Sequence, residues 1–253
     1  MKGKVSVVIP SFNRFVYLQN AVRSVLGQSY PNVEVVIVND CSTQNEYYTF
    51  DFKSFGPNVY IVHLPRNSRD LYGRVCGGGH ARNIGMMLCS GEYIAFLDDD
   101  DCFLPTKIEK QINAMTETGC FMSCTEGLIG RGPYQSSEAY DVFHYRGHYW
   151  DTLQKIFGDH DKTDLLEKMY EDDKTIWGYD AIHVHNCTIG GSSIIIKSEL
   201  VKKAGFFPLM PYGEDWEYWK KLVKHTDCVF LREPLVYIDT NHGDGQHYDL
   251  NNC

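Results

Sequence analysis

Short β-branched runs alternate with amphipathic segments over the first hundred residues, and this alternation restricts the fold more than any other feature. The runs at residues 5–10 and 33–38 are almost wholly apolar, as expected of strands covered on both faces. Between them, apolar residues recur every three to four positions over residues 17–26 and stop at Gly27, which predicts a helix with one apolar face. The chain is therefore predicted to begin with a βαβ unit.

The same alternation continues, and it predicts an α/β protein with a mostly parallel central sheet flanked by helices. In such a sheet the ligand crevice lies beyond the carboxyl ends of the strands. The further predicted elements are strands at residues 59–64, 93–97, 190–196 and 230–238, and helices at 81–89, 106–115, 199–204 and 215–223.

Residues 130–186 break the pattern, because they are rich in Tyr, His, Asp and Lys and have no sustained apolar period. We interpret them as a specificity insertion packed on the ligand face of the sheet. No repeat or low-complexity linker divides the chain. Residues 1–253 are therefore predicted to form a single domain.

Composition excludes several classes of protein. With 253 residues, 43% of them hydrophobic, the chain can bury a full core. A net charge of −9 argues against binding to nucleic acid or to an anionic lipid surface. No apolar stretch reaches the 18 residues that suggest a membrane span, and no signal-peptide core follows Met1, so we expect a soluble, cytoplasmic protein. The nine cysteines give no disulfide framework and are expected to be reduced.

Four consecutive aspartates, Asp98 to Asp101, follow the predicted strand 93–97. Such carboxylates repel one another unless a positive group lies among them, and a divalent cation is the simplest candidate. Hard oxygen ligands favour Mg²⁺ or Mn²⁺, which usually keep coordination positions for substrate phosphates. By themselves, the residues are equally compatible with a solvated acidic turn or a helix cap.

Two residues at other strand and helix ends are predicted to share this crevice. Asp40 follows the strand 33–38 and could accept hydrogen bonds from a base or a ribose, although alone it favours an Asx-turn. Arg82 stands after a glycine run near a helix start, which suits a phosphate or base contact, or else a surface ion pair.

Glu214 and Asp215 are predicted to lie at the start of a later helix. The helix dipole alone favours acidic residues in a first helical turn. A carboxylate at this position could also serve as a general base.

Five segments of the chain form a recognisable set: VSVVIPSFNR (5–14), EVVIVNDCS (34–42), GHARNIGMMLCSGEYIAFLDDDDCFLP (79–105), KSELVKKAGFF (197–207) and GEDWEYWKKL (213–222). In order and spacing, these segments resemble a family 2 glycosyltransferase of the GT-A fold. The resemblance covers most of the chain apart from residues 130–186 and the tail, and it implies a Rossmann-like GT-A domain with a nucleotide-sugar half (1–105) and an acceptor half (106–253).

The resemblance implies metal-dependent, inverting transfer from a nucleotide diphosphate sugar, foremost a UDP-sugar, to a hydroxyl of a glycan, a lipid-linked glycan or a protein. Asp98 and Asp100 match the family's DxD positions, with Asp100 as the first choice for Mn²⁺ or Mg²⁺. Asp215 matches the catalytic base, and Glu214 would support it or contact the acceptor. The residues implied to contact the nucleotide sugar are Pro10, Phe12, Asn13, Asp40, Arg82, Asp98 and Asp99, although Asp99 and Asp101 are also candidates for holding the turn.

Four further residues are candidates with open alternatives. Many relatives carry an Arg-x-His element near the end, which this chain lacks, so His242 is either a metal ligand or part of a tail outside the site. His183 and His185 have same-face spacing if they lie on a strand and could bind a metal, although core or acceptor-groove histidines are more frequent. Trp219 is predicted to lie in the core.

Two functions are alternatives to sugar transfer. A Rossmann dehydrogenase is excluded because no GxGxxG follows the first strand. An inactive nucleotide-sugar-binding protein remains the alternative function.

Overall fold

The computed structural model of the protein describes residues 3–73, 78–186 and 188–241. Its strands are β1 (Val5–Ser11), β2 (Val33–Asn39), β3 (Val59–His63), β4 (Tyr93–Phe96), β5 (Cys102–Phe103), β6 (Met122–Gly130), β7 (Asp141–Val142), β8 (Lys174–Trp177), β9 (Ile195–Lys197) and β10 (Cys228–Asp239). Its α-helices are α1 (Phe15–Leu26), α2 (Glu46–Thr49), α3 (Ser68–Tyr72), α4 (Gly79–Leu88), α5 (Lys107–Thr118), α6 (Trp150–Asp159), α7 (Thr163–Met169), α8 (Tyr179–Val184), α9 (Glu199–Ala204) and α10 (Glu214–Leu222). The described ranges also contain the 3-10 helices Phe52–Phe55 and Gly191–Ser193.

Within the described ranges, ten strands form one sheet in the order β3-β2-β1-β4-β9-β6-β10-β5, with β7 paired to β6 and β8 to β10. The strands β3, β2, β1 and β4 are all parallel, as predicted from the alternation of strands and helices. The other half is mixed, because β9 runs antiparallel to both β4 and β6 whereas β6 and β10 are parallel. The predicted α/β class with flanking helices is confirmed.

Helices cover both faces of the sheet, and their packing positions the carboxyl ends of the strands. On one face, Leu18, Val22 and Val25 of α1 are fully buried in a cluster with residues of β1 and β2. On the other face α4 approaches β1 closely at Gly85, where an added Cβ would lie 2.3 Å from a methyl group of Val8. A larger residue at position 85 would push α4, and the residues at its amino end, away from the sheet.

The second half of the chain departs from the sequence predictions at two places. Central strand β6 was not predicted, because Ser, Thr and Glu interrupt its apolar residues. These polar side chains are buried, and Glu126 accepts backbone N–H groups of Gly127, His144 and Tyr145. The strand predicted at 190–196 is also wrong in its first part, since Gly191–Ser193 is a 3-10 helix and β9 begins at Ile195.

Residues 130–186 contribute β7, β8 and three helices to the covering of the sheet. Leu153 and Phe157 of α6 and Leu166 of α7 pack with Met122 and Phe230 in one buried cluster. Their interpretation as a specificity insertion stays a prediction. One continuous sheet through the described ranges supports the single domain predicted for residues 1–253, which likewise stays a prediction.

Two other predictions concern histidine and tryptophan side chains. His183 lies in α8 and His185 directly follows it, so the same-face strand geometry predicted for this pair is wrong. Trp219 is fully buried, as predicted.

The six cysteines in the described part of the chain are free. Among the helices of that part, none combines the length and the apolar character needed to cross a bilayer. The cytoplasmic location stays a prediction.

Glu34, on β2, is a buried carboxylate at the end of the sheet opposite the predicted crevice. It accepts hydrogen bonds from the Ser6 hydroxyl at 2.5 Å, the Ser90 N–H at 2.8 Å and the Lys4 ammonium at 2.9 Å. Burial alone would raise the pKa of Glu34, but the hydrogen bonds outweigh burial and lower this pKa from 4.5 to about 2. The ionised carboxylate therefore stabilises the folded state.

We expect Glu34→Gln to lower the free energy of unfolding at neutral pH by about 1.5–3 kcal/mol, the usual value for hydrogen bonds to a charged group. Because the folded pKa lies below the unfolded value, this stability is present above pH 4.5 and is lost as the pH falls toward 2. Urea unfolding of both proteins at several pH values should show the difference shrinking with acidity. Glu199→Gln, in a half-exposed pair with Lys203, is the control, and an equal loss in both variants would contradict the prediction.

Candidate functional site

The carboxyl ends of β1, β2 and β4 open onto one cavity of about 210 Å³. Its walls bring together most residues predicted from the sequence, since parallel strands end at the same edge of a sheet. The predicted residues that line it are Pro10, Phe12, Asp40, Arg82, Asp98, Asp99, Asp100 and Asp101. Asn13, Glu214 and Asp215 do not line it directly, and His242 lies outside the described residues.

Arg82, in the first turn of α4, connects the aspartates to the start of α10. Its guanidinium donates to Asp98 Oδ1 at 2.6 Å and to Glu214 Oε1 at 3.2 Å. The Gly78 N–H also donates to Glu214, at 3.0 Å. Burial raises the pKa of Glu214, while the charge of Arg82 lowers it. Glu214 therefore holds Arg82 toward the cavity, whereas the Asp98 side chain remains 34% exposed.

Arg14, which lies between β1 and α1 and directly precedes the helix, is a site residue that the sequence analysis did not single out. One of its terminal nitrogens lies 3.1 Å from Asp99 Oδ1 and 2.9 Å from Asp100 Oδ2. With Arg82 on Asp98, the protein supplies two cations of its own to the aspartate turn, which we define as residues 98–101. Charge repulsion alone therefore does not require a metal ion. Arg14 could have been identified from its place in the sequence, because it follows a predicted strand that ends at the predicted crevice.

Asp99 and Asp101 hold the aspartate turn in place, as one of the two sequence interpretations expected. Asp99 Oδ2 accepts the Ser11 hydroxyl at 2.6 Å and the Phe12 N–H at 3.3 Å. Asp101 accepts the Ser192 hydroxyl at 2.5 Å and the Asp239 N–H at 3.1 Å. Burial raises the pKa of both carboxyl groups. Their oxygens are thus engaged with the protein, whereas Asp98 faces the cavity.

Asp40 is a buried carboxylate whose orientation is fixed by the start of α3. Its Oδ1 accepts the Ser68 N–H at 2.9 Å and the Ser68 hydroxyl at 2.7 Å, and the Asn67 amide lies 3.4 Å from Oδ2. Burial raises the pKa of Asp40, and the hydrogen bonds from Ser68 oppose that rise. A fixed carboxylate at the cavity wall can accept a hydrogen bond from a ligand N–H or O–H.

Asn13 connects two loops at this edge of the sheet. It adopts a positive φ of 53°, and its side-chain oxygen accepts the N–H groups of Thr43 at 2.7 Å and Gln44 at 3.3 Å. Its own N–H donates to the Ser42 hydroxyl at 2.9 Å. The loop after β2 is thereby fixed against the end of β1. Direct contact between Asn13 and a nucleotide stays a prediction.

Asp215 lies beside the aspartate turn at the start of α10. Its carboxylate accepts the Trp216 N–H at 2.7 Å and lies 3.4 Å from the Asn186 amide nitrogen. Burial raises the pKa of Asp215, and the charge of Asp98 raises it further while Arg82 lowers it. A carboxylate with a raised pKa is suited to accept a proton near neutral pH.

The cavity offers carboxylate oxygens that could coordinate a divalent cation. Among the described residues, no group of three or more His, Cys, Asp or Glu side chains is placed to hold a metal. Mg²⁺, however, commonly binds through one or two carboxylates and completes its shell with water and substrate phosphates. Asp98 and Asp100 offer such hard oxygen atoms at the cavity. The residues fit an ion shared with a phosphate ligand rather than an all-protein cage.

Comparison with known proteins gives consistent results. A family model described as Glycosyl transferase family 2 matches residues 6–165. TuaG of Bacillus subtilis, provisionally named as a teichuronic acid biosynthesis glycosyltransferase, is 38% identical over 125 residues, 49% of this chain and 46% of TuaG. An uncharacterized glycosyltransferase of Rickettsia typhi is 28% identical over 235 residues, 92% of this chain and 62% of that protein.

Solved structures show the same fold. The crystal structure of S. aureus TarS 1-349 in complex with UDP-GlcNAc superposes with a TM-score of 0.69 at 20% identity, over 97% of this chain and 61% of that one. This likeness confirms the predicted GT-A fold. The chain spans less than two thirds of the length of each of these three proteins.

Proposed function

The chain belongs to glycosyl transferase family 2, and on that premise we propose that it transfers a sugar from a nucleotide diphosphate sugar to a hydroxyl group. A UDP-sugar is the foremost donor, and the acceptor is a glycan, a lipid-linked glycan or a protein. One observation carries this proposal: Asp40, Arg82 and the aspartate turn, which are separate in sequence, line a single cavity at the carboxyl ends of parallel strands.

The nucleotide end of the donor is assigned to Asp40. A carboxylate fixed by Ser68 accepts the imide N–H of uracil, and Pro10 and Phe12 line the same cavity. The TarS structure in complex with UDP-GlcNAc, which has the same fold, supports uridine as the nucleoside.

The diphosphate is assigned to Asp98 and Asp100, two residues of the aspartate turn that line the cavity. Asp100 and Asp98 would hold Mn²⁺ or Mg²⁺, which neutralises charge on a leaving diphosphate when bound. Arg82 adds a guanidinium within hydrogen-bond distance of Asp98, and Glu214 keeps it there. Arg82 thus places a cation at the cavity wall, where the leaving group would develop negative charge.

Asp215 is assigned as the base of an inverting transfer. It accepts the proton of the acceptor hydroxyl while that oxygen forms a bond to the anomeric carbon of the sugar. The bond from that carbon to the phosphate oxygen breaks, and its electron pair leaves with the diphosphate. Asp215 lies near Asp98 without lining the cavity, which supports its placement on the acceptor side. An inactive binding protein with this fold would not need a separate, partly buried carboxylate there.

We expect a matching nucleotide sugar to raise the melting temperature only when Mn²⁺ or Mg²⁺ is present. At a donor concentration 100-fold above Kd, mass action adds about 2.7 kcal/mol, which corresponds to roughly 5–10 °C for a chain of this size. A thermal-shift screen of nucleotide sugars with Mn²⁺, and again with excess chelator, measures this. Asp100→Asn should lose the metal-dependent shift, whereas Asp70→Asn, at an exposed site on α3, should keep it.

The outcomes separate the parts of the proposal. A panel in which no nucleotide sugar stabilises the protein would contradict donor binding. Full transfer or hydrolysis activity in excess chelator would exclude the metal requirement but leave the transferase standing. Stabilisation by a donor without any transfer or hydrolysis of it would favour the inactive binding protein.

A further inference from the structure

The aspartate turn is closed by a residue from the second half of the chain. Ser192 lies in the 3-10 helix Gly191–Ser193 and is fully buried. Its hydroxyl oxygen accepts the N–H of Asp98 at 3.0 Å and donates its proton to Asp101 Oδ2 at 2.5 Å. One hydroxyl therefore links the first and the last residue of the turn, in addition to the backbone bond from Asp101 N–H to the Asp98 carbonyl at 3.1 Å.

The 3-10 helix that carries Ser192 is itself held by α5, the helix that follows the aspartate turn. The side-chain amide of Gln111, fully buried on α5, donates to the Ser193 carbonyl at 2.9 Å and to the Ser123 hydroxyl at 3.0 Å. Its oxygen accepts a hydrogen bond from the buried Lys107 Nζ at 2.6 Å, and that nitrogen lies 4.1 Å from the centroid of the Phe103 ring. The position of the amide is thus fixed at both of its ends.

We propose that Ser192 is a positioning residue of the donor site and that Gln111 fixes the 3-10 helix that carries it. Ser192 fixes the backbone of Asp98 after the end of β4, because its hydroxyl oxygen accepts the Asp98 N–H directly. Asp98 lines the cavity and pairs with Arg82, so a displacement of its backbone moves both charges. Displacements of about 1 Å at such sites reduce rates by about 100-fold. The inference rests on the proposed function, since it assigns Asp98 to the donor.

Two adjacent serines provide a matched test of this proposal. Ser193 is as buried as Ser192, but its hydroxyl donates to the Gly190 carbonyl at 3.0 Å, within its own turn. We expect Ser192→Ala to accelerate hydrogen exchange of the Asp98 amide in the ligand-free protein by about tenfold, the equivalent of one hydrogen bond. Its Kd for UDP in the presence of Mn²⁺, measured by calorimetry as a probe of the nucleotide-diphosphate part of the donor site, should rise by a similar factor. Ser193→Ala should leave both quantities unchanged.

A second variant keeps the test decisive if Ser192→Ala does not fold. Gln111→Glu retains an oxygen for Lys107 but replaces the donor that faces the Ser193 carbonyl with an acceptor, so faster exchange at Asp98 is expected there too. Unchanged exchange at Asp98 in the folded variants, or equal acceleration in both serine variants, would overturn the proposal. Faster exchange with an unchanged Kd would overturn the role of Ser192 in donor binding. A wild-type protein that binds no donor instead contradicts the proposed function, and the exchange result is independent of it.

Discussion

Asp215→Asn is expected to reduce sugar transfer by at least about 100-fold, the usual scale for the loss of a general base. The amide has the size of the carboxylate and can still meet the Asn186 amide group. It cannot, however, take the proton of an acceptor hydroxyl. Donor affinity should remain nearly unchanged, because Asp215 does not line the cavity assigned to the nucleotide sugar.

The measurement is a comparison of kcat and of donor Kd in Asp215→Asn and in wild type. Glu217→Gln is the control, since Glu217 lies in the same helical turn but pairs with Lys220 on a more exposed face. Transfer that is unchanged in Asp215→Asn would remove Asp215 from the mechanism. A loss of donor binding as large as the loss of transfer would instead place it on the donor.

Arg14→Met is expected to lower the free energy of unfolding by about 3–5 kcal/mol, the usual cost of removing one partner from a buried ion pair. The side chains of Asp99 and Asp100 are each 5% exposed, and Arg14 contacts both. Methionine fills much of the same volume but leaves the two carboxylates without that cation. If Asp100 holds a metal ion, Mn²⁺ should stabilise this variant more than it stabilises wild type.

Urea unfolding with and without Mn²⁺ checks both parts. Arg23→Met on α1 is the control, because Arg23 is exposed and its hydrogen bond goes to Gln19 on the same helix. A loss in Arg14→Met no larger than in the control would show that Arg14 is not an essential counter-ion of the aspartate turn. Equal stabilisation of wild type and Arg14→Met by Mn²⁺ would argue against a shared place for the two cations.

The first half of the fold was predictable because its signals are local. Each of these elements is predicted by its own local pattern: β1 and β2 by their apolar runs, and α1 by its amphipathic period. Parallel connection then forces their carboxyl ends to one edge. Strand β6 was not predicted because its Ser, Thr and Glu residues are polar. Two of the three N–H groups that donate to Glu126 belong to His144 and Tyr145, which lie in a separate loop region.

The sequence by itself determined the α/β class and the meeting of Asp40, Arg82 and the aspartate turn, since both follow from local periodicity and from the geometry of parallel strands. Only the tertiary structure decided which charges neutralise the aspartates. Arg14, which supplies a charge, lies 85 residues from Asp99 in the sequence. Ser192, which supplies a hydrogen bond, lies 91 residues from Asp101. No local pattern encodes contacts between residues so far apart in the sequence. The aspartate turn that suggested a metal ion by repulsion is already neutralised in part by the protein's own arginines, because folding brought those charges together.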